Sequence, residues 1–522
     1  MPELIWKGKE QVVNHHLDVP VQTLDRQYDF NCPDGGESDN KIIHGDNLAA
    51  LKALLPQYEG KVKCIYIDPP YNTGNESWVY NDNVKDPRIL KWLGEVVGKE
   101  GEDLCRHDKW LCMMYPRLQL LKRLLREDGI MFVSLDDNEL CYLGLALDEI
   151  FGRNNMIARL IWKGRQHIDS RALSGVSNDH EYILAYAKHP DKARLKGKER
   201  DASKYTNPDD DPRGPWMSRS ILGLANKQQR PNLHYNLVDA TTGFSYPCAE
   251  NTGWRYSQET MGEKMAEGCI IFPKKRTGRP REKVFLKKLQ TETTGLPSII
   301  DGVYTAHGTA EIRAIFGRQV FDFPKPSDLI SELIRQASEN DSIILDSFAG
   351  SGTTAHAVLN LNKRDGGNRK FILIEMMEYA ETITAERVKR VINGYGEGSK
   401  AVAGTDGDFS YYSLGERVFD DQGNLNEALS VDEIREYVAW SERLPGAESS
   451  DNPYWLGAKD QTGYYFFYEP TRATVLNLDF LATLTRQTES YLIYADTCLL
   501  DEEFMRRHTI RFKKIPRDIS RF

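Results

Sequence analysis

Two short blocks constrain this chain more than anything else in it. Asp68-Pro69-Pro70-Tyr71 follows the compact apolar run Val62 to Ile67, and Phe348-Ala349-Gly350-Ser351-Gly352-Thr353-Thr354 follows the run Ser342 to Asp346. Each reads as a strand entering a turn, and the glycine block then opens a helical stretch from about Thr353 to Leu361. Strands that alternate with helices build a parallel sheet, and open sheets of this kind bind ligands beyond the carboxyl ends of their strands. Other segments fit the same pattern. Lys41 to Ile43 leads through His44-Gly45-Asp46-Asn47 into a helical run, Leu111 to Leu125 has helical spacing, and Ile130 to Leu135 and Lys370 to Ile374 are further strands.

A chain of 522 residues is too long for one hydrophobic core. The strand and helix alternation weakens after about Ala187 and resumes at Ser342. Between lies an irregular segment rich in Gly, Pro and aromatic residues. From Arg213 to Gln290 it carries 14 Lys and Arg against 6 Asp and Glu, a net +8 in a chain whose overall charge is -9. From Gly398 to the end the count is 14 against 21, a net -7. The predicted organisation is an N-terminal arm (1–39), a first α/β half (40–190), an inserted basic module (191–318), a second α/β half (319–395), a glycine-rich linker and a C-terminal domain (408–522). The eight cysteines never form a CxxC pair, which argues against a zinc ribbon or a disulfide framework, so they read as reduced core thiols. The first residues lack an apolar leader and no run of about 18 apolar residues occurs, so the expected location is the cytosol.

The two turns carry the chemistry. Prolines at 69 and 70 fix φ and remove two N–H donors, leaving a rigid cluster of acceptors. A planar exocyclic amine has two N–H donors, which one Asp68 oxygen and the Pro69 carbonyl could take while Tyr71 stacks on the ring. The bland alternative is that the prolines end a strand and the tyrosine packs. The glycine block lets a ligand approach the backbone. It lacks the lysine of a Walker loop after Gly352, while a dinucleotide fingerprint, whose sixth position is Ala355, and a plain tight turn stay open. Helix N–H groups at Thr353 and Thr354 suit a carboxylate. Glu375 ends the next strand, 23 residues after Gly352 (375 minus 352), near the spacing at which an acid meets ribose hydroxyls. A ligand with a carboxylate and a ribose but no phosphate suggests S-adenosylmethionine.

FAGSGTT together with DPPY resembles the paired signature of S-adenosylmethionine-dependent amino methyltransferases acting on DNA. Here Asp68 of DPPY precedes Asp346, which leads into the glycine block, by 278 residues (346 minus 68), an order that resembles the circularly permuted β group, whose insert is a target-recognition domain. Phe321-Asp322-Phe323-Pro324-Lys325-Pro326 resembles the family's cofactor-flanking motif, and Asn178 to Leu184 the block closing the catalytic half. More narrowly, Ile42 to Leu48, Asp68 to Asn75, Ser134 to Glu139 and Phe512 to Arg517 resemble the modification subunit of Type III restriction-modification systems.

The resemblance implies a Rossmann-like α/β methyltransferase fold with that inserted domain and a small C-terminal domain. It places the target base at Asp68, Pro69, Pro70 and Tyr71 and the cofactor at Phe348, Ala349, Gly350, Gly352 and Thr353, with Asp346 bracing the loop and Glu375 the ribose. Asp46 and Lys325 are further cofactor contacts on this reading, although Asp46 equally suits a helix N-cap and a lysine between prolines equally suits solvent. No metal is required for an in-line methyl displacement. DNA contacts are assigned to Arg213, Arg219, Arg255, Lys274, Lys275, Arg276 and Arg279, with Trp216, Tyr235, Phe244, Trp254 and Tyr256 interleaved, against the alternative of a solvated basic face. The implied activity is methylation of N6 of a flipped adenine in double-stranded DNA, with N4 of cytosine or a DNA-reading subunit of little activity as alternatives. The implied partners are a second copy of the chain and a restriction subunit with helicase and nuclease functions, and no membrane.

Overall fold

The computed structural model describes residues 4–73, 106–170, 172, 175–248, 251–289, 293–420, 422–445 and 452–520. Gly74, Asn75 and Cys105 lie outside them. Its centre is a ten-stranded sheet. In chain order the strands are β1 (Gln22–Phe30), β2 (Lys41–His44), β3 (Val62–Ile67), β4 (Leu125–Leu135), β5 (Met156–Trp162), β6 (Glu181–Ala187), β7 (Ile299–Ile300), β8 (Ile343–Asp346), β9 (Lys370–Glu375) and β10 (Phe409–Arg417). In space they run β1-β10-β2-β9-β8-β3-β4-β6-β5-β7. The six strands from β10 to β4 are mutually parallel, while β1 and β6 oppose their neighbours. The α/β class and mainly parallel sheet read from the sequence are therefore present.

The central strands are apolar on both faces, as a sheet covered on both sides requires: all of β3 is buried, and Ile344, Leu345 and Phe371 to Ile374 are 0% exposed. The helices are α1 (Asn47–Ala53), α2 (Arg106–Leu124), α3 (Leu140–Phe151), α4 (Thr305–Phe316), α5 (Ser327–Ala337), α6 (Thr353–Asp365) and α7 (Glu386–Asn393). The first three bury Leu48, Leu51, Trp110, Leu118, Leu121, Leu143 and Leu147 in one core with β3 and β4. The arrangement matters most at β8, which lies between β9 and β3. Asp346 and Asp68, far apart in the chain, thus end neighbouring strands.

Several sequence-derived boundaries shift. The N-terminal arm is not separate, because β1 pairs along β10 and closes that edge of the sheet. Residues 409–417, assigned to the C-terminal domain, are β10 itself and lie parallel to β2. The inserted unit is Lys196–Leu296, shorter than 191–318. Residues 297–318 belong to the main unit, where β7 pairs with β5 and the Trp162 indole donates to the Val303 carbonyl at 2.7 Å. Such edge pairing leaves no period in the sequence. The remaining C-terminal residues carry a four-stranded sheet of Trp455–Lys459, Thr462–Phe466, Ser490–Ala495 and Ile510–Lys514, within the same compact unit as the main sheet. Trp440 ties this region in through an indole bond to Glu59 at 2.7 Å. Cys141 is exposed, so the cysteines are not uniformly core thiols.

The inserted unit has its own small core of Ile221, Leu237, Tyr246, Trp254, Met261 and Ile270. A three-stranded sheet of Ile270–Ile271, Arg281–Phe285 and Trp216–Ser220 supports it, with helix Gln258–Ala266 capped by Ser257. Lys198–Glu199 pairs with Thr293–Thr294, so the unit enters and leaves at one neck. Among the described residues of the whole chain, no helix is long and apolar enough to cross a membrane.

Candidate active site

A cavity of about 690 Å³ opens at the carboxyl ends of β3, β8 and β9, and both sequence blocks line it. Asp68, Pro69, Pro70 and Tyr71 form one side, and Asp346 to Ser351, Thr353 and Thr354 the other, with Glu375 beside them. The Pro70 carbonyl is taken by the Trp110 indole at 2.7 Å, which leaves Pro69 as the proline acceptor beside the Asp68 carboxylate. Tyr71 donates its hydroxyl to Glu181 Oε2 at 2.8 Å, and burial, then the nearby Asp68 and Glu181 charges, hold its phenol well above its ordinary pKa. The next residue, Asn72, is buried at φ 58, a left-handed conformation, with its amide bonded to Glu139 and to the Arg106 carbonyl.

The glycine loop is built for close approach. Gly350 and Gly352 have φ of 52° and 79°. A Cβ on Gly352 would lie 3.0 Å from the Thr384 carbonyl oxygen, and one on Gly350 would lie 3.2 Å from the Phe321 ring. Asp346 fixes the loop from below: it is 2% exposed and accepts from Phe348 N at 3.0 Å and Thr354 Oγ1 at 2.5 Å. Glu375 fixes it from the side, accepting from Gly350 N at 2.8 Å and Met377 N at 3.0 Å. Burial raises both carboxyls to about 7, against the stabilising effect of these N–H and O–H donors. Behind the loop the buried Arg387 donates to Ser351 Oγ and Thr353 Oγ1, both at 2.8 Å, and is charge-paired with Glu311 at 3.1 Å. Among the described residues Ser347 Oγ, buried at the cavity wall, has no hydrogen-bond partner.

Two residues assigned to the cofactor have protein partners of their own. Asp46 accepts from Leu48 N and Ala49 N, both at 3.0 Å, so its carboxylate caps α1, and it pairs with Arg117 at 3.3 Å. The adjacent Asn47 and Arg117 line the cavity instead. Lys325, expected beside the cofactor, bonds both oxygens of Asp68 at 3.0 and 2.9 Å and lies 3.3 Å from Glu181. Its ammonium also stands 4.8 Å from the Tyr71 ring centroid. Burial disfavours that charge, but Asp68 and Glu181 outweigh burial and raise its pKa. A lysine between prolines has no local signature of a partner 257 residues away, so sequence reasoning could not find this cluster. Arg117 and Arg387 escape it for the same reason. Glu181 falls inside a block that carries the family resemblance, but nothing in the sequence gives it a role.

In the inserted unit, two of the seven proposed DNA contacts are internal. Arg213 pairs with Asp211 at 2.7 Å and Arg219 with Glu282 at 2.9 Å; both carboxylates are buried, and each also holds a lysine, Lys283 at 2.9 Å and Lys264 at 2.7 Å. The aromatic residues are also largely structural: Trp254 is 2% exposed, and Tyr235, Phe244 and Tyr256 pack on the same core. Trp216 is half-buried, its indole donating to Asp209 at 2.8 Å. Arg255, Lys274, Lys275, Arg276 and Arg279 are exposed.

The profile of a DNA methylase family matches residues 62–386, a stretch that spans both blocks and the inserted unit. The Mod subunit of the Type III restriction-modification enzyme StyLTI from Salmonella typhimurium is 35% identical over 360 residues, covering 64% of this chain and 52% of that one. The EcoPI Mod subunit of Escherichia phage P1 is 32% identical over 416 residues, covering 72% and 63%. The Type II methyltransferase M.KpnI of Klebsiella pneumoniae is 33% identical over 360 residues, covering 64% of this chain and 80% of that protein. The chain thus spans about half to two thirds of the length of these Mod subunits.

Proposed function

Because the chain belongs to this DNA methylase family, we propose that it transfers a methyl group from S-adenosylmethionine to N6 of an adenine in a specific DNA sequence. The observation that carries the reading is the single cavity onto which Asp68-Pro69-Pro70-Tyr71 and the glycine loop both open. The loop side suits the cofactor. Gly350 lines the cavity without a side chain, Ser347 presents a hydroxyl with no partner among the described residues, and the Glu375 carboxylate stands at the same wall. S-adenosylmethionine, when bound, supplies a methyl group activated by its sulfonium.

The chain's own residues then have separate tasks. Asp68 and the Pro69 carbonyl accept the two N–H groups of the target amine, and the Asp68 charge opposes the positive charge that develops on the nitrogen. Tyr71, pinned by Glu181, offers a ring face for stacking. Asp346, Glu375 and Arg387 hold the loop so that nitrogen, methyl and sulfur align without further movement. A base reaches such a cavity only by leaving the duplex stack, at a cost of a few kcal/mol. The exposed cations of the inserted unit, Lys274, Lys275, Arg276, Arg279 and Arg255, are the contacts proposed for phosphate and groove.

By its likeness to Type III Mod subunits the chain acts as a modification and DNA-recognition subunit, pairing with a second copy and with a restriction subunit. The test is digestion to nucleosides of DNA incubated with the protein and methyl-labelled S-adenosylmethionine. Label in N6-methyladenine is the expected result, label in N4-methylcytosine would move the target to the other exocyclic amine, and no label would overturn the reading.

A further inference from the structure

Lys325 holds the groups that the target base is expected to use. Its ammonium donates to Asp68 Oδ1 at 3.0 Å and Asp68 Oδ2 at 2.9 Å and is ion-paired with Glu181 Oε2 at 3.3 Å. The same ammonium stands 4.8 Å from the Tyr71 ring centroid. An amine that donates to Asp68 while its ring stacks on Tyr71 therefore meets this cation at both contacts. The cation cannot simply depart, because its side chain is only 10% exposed and an unpaired ammonium buried there would be costly. It also stands between two carboxylates that would otherwise face each other across the cavity wall.

Resting on the methyl-transfer reading above, we propose that Lys325 is a placeholder which the target base displaces from Asp68, and that Glu181 is the carboxylate that receives it. Glu181 is suited to this role because it already touches the ammonium and already accepts the Tyr71 hydroxyl at 2.8 Å. Base entry is then an exchange of one donor for another at Asp68, in which the charge moves toward Glu181 and stays paired throughout. Lys325 and Glu181 are positioning residues on this account, acting through Asp68 and Tyr71.

The exchange predicts a particular coupling between two substitutions. Glu181→Gln keeps an acceptor for the Tyr71 hydroxyl but removes the anion that draws Lys325 away, so the lysine stays on Asp68. The expected result is a fall in kcat/KM for DNA of about tenfold, the scale of a hydrogen bond to a charged group. Binding of S-adenosylmethionine, followed by calorimetry, is expected to be unchanged. Adding Lys325→Met to Glu181→Gln removes the obstruction and is expected to raise kcat/KM above that of Glu181→Gln alone. A double variant that folds, binds cofactor and is no better than the single one would overturn the proposal, since a purely structural pair loses more with each change. Should the double variant fail to fold, the wild-type protein with DNA and a cofactor analogue lacking a transferable methyl decides the matter. Lys325 Nζ is expected beyond hydrogen-bond reach of Asp68 and within reach of Glu181, and an ammonium still bonded to Asp68 beside a flipped base would overturn the exchange. Wild-type protein that transfers methyl groups while the rescue fails sinks this inference alone, whereas wild-type protein that transfers none sinks the reading beneath it as well.

Discussion

At the scale of single residues, Glu375 shows how the fold prepares a group before any ligand arrives. Both of its oxygens accept backbone N–H groups, yet burial still raises its carboxyl to about 7. The sign of the resulting pH dependence follows directly. A carboxyl raised above its unfolded value of about 4.3 is favoured in its neutral form, so its contribution to stability is full below that value and is lost as pH rises to about 7. Ribose hydroxyls that donate to Glu375 favour the ionised form, so cofactor binding releases a proton and tightens as pH rises through about 7. Calorimetric titration of S-adenosylmethionine between pH 6 and 8 should show that trend, and Glu375→Gln should flatten it, leaving only the part due to Asp346, the other carboxyl raised to about 7. Which residues would matter was partly legible in the sequence. Asp68, Asp346 and Glu375 each end an apolar strand, a position that can be read locally. The partners of Lys325 and Arg387 could not be read, because they are set by tertiary neighbours rather than by spacing.

At the scale of elements, the strand-to-helix turn after β8 is the part most tightly specified. Gly352 sits at φ 79 as the N-cap of α6, and a side chain there would meet the Thr384 carbonyl as well as adopt a left-handed backbone. Gly352→Ala is expected to destabilise the protein by about 1–2 kcal/mol from the backbone conformation alone, with a further loss of cofactor affinity. Chemical denaturation and cofactor titration of the same variant would measure both, and an unchanged midpoint would contradict the geometry. The turn was readable from sequence because glycine, proline and strand hydrophobicity are local signals. The edges of the sheet were not. On sequence alone β1, β7 and β10 fall to an arm, to the insert and to the C-terminal domain, and each joins the sheet through backbone pairing that any extended segment could offer.

At the scale of the whole molecule, two compact units divide the work proposed for the chain. The inserted unit is basic, but two of its arginines and most of the aromatic residues that its composition suggests for DNA serve its own core and ion pairs. Composition alone cannot separate a cation that neutralises a buried carboxylate from one that meets phosphate. The exposed set Lys274, Lys275, Arg276 and Arg279 makes a sharper prediction. Replacing all four by Gln should weaken DNA binding about equally across sequences, and should lower the slope of log K against log salt by about 0.9 for each phosphate no longer neutralised. Arg213→Gln should instead lower the thermal stability of the protein, because Asp211 is 8% exposed and would keep only Lys283, at 2.9 Å, as its cation. A Tm unmoved by that change would contradict the structural role assigned to Arg213.

One cavity is proposed to have two duties, base capture at Asp68 and cofactor capture at the glycine loop. The most direct test is Asp68→Ala, assayed in parallel for S-adenosylmethionine binding by calorimetry and for methyl transfer to DNA. Cofactor affinity should match that of the wild type while transfer falls by about 10²-fold or more, the scale of removing one group that opposes charge in a transition state. Transfer that persists near the wild-type rate, or cofactor binding that is lost along with it, would contradict the division.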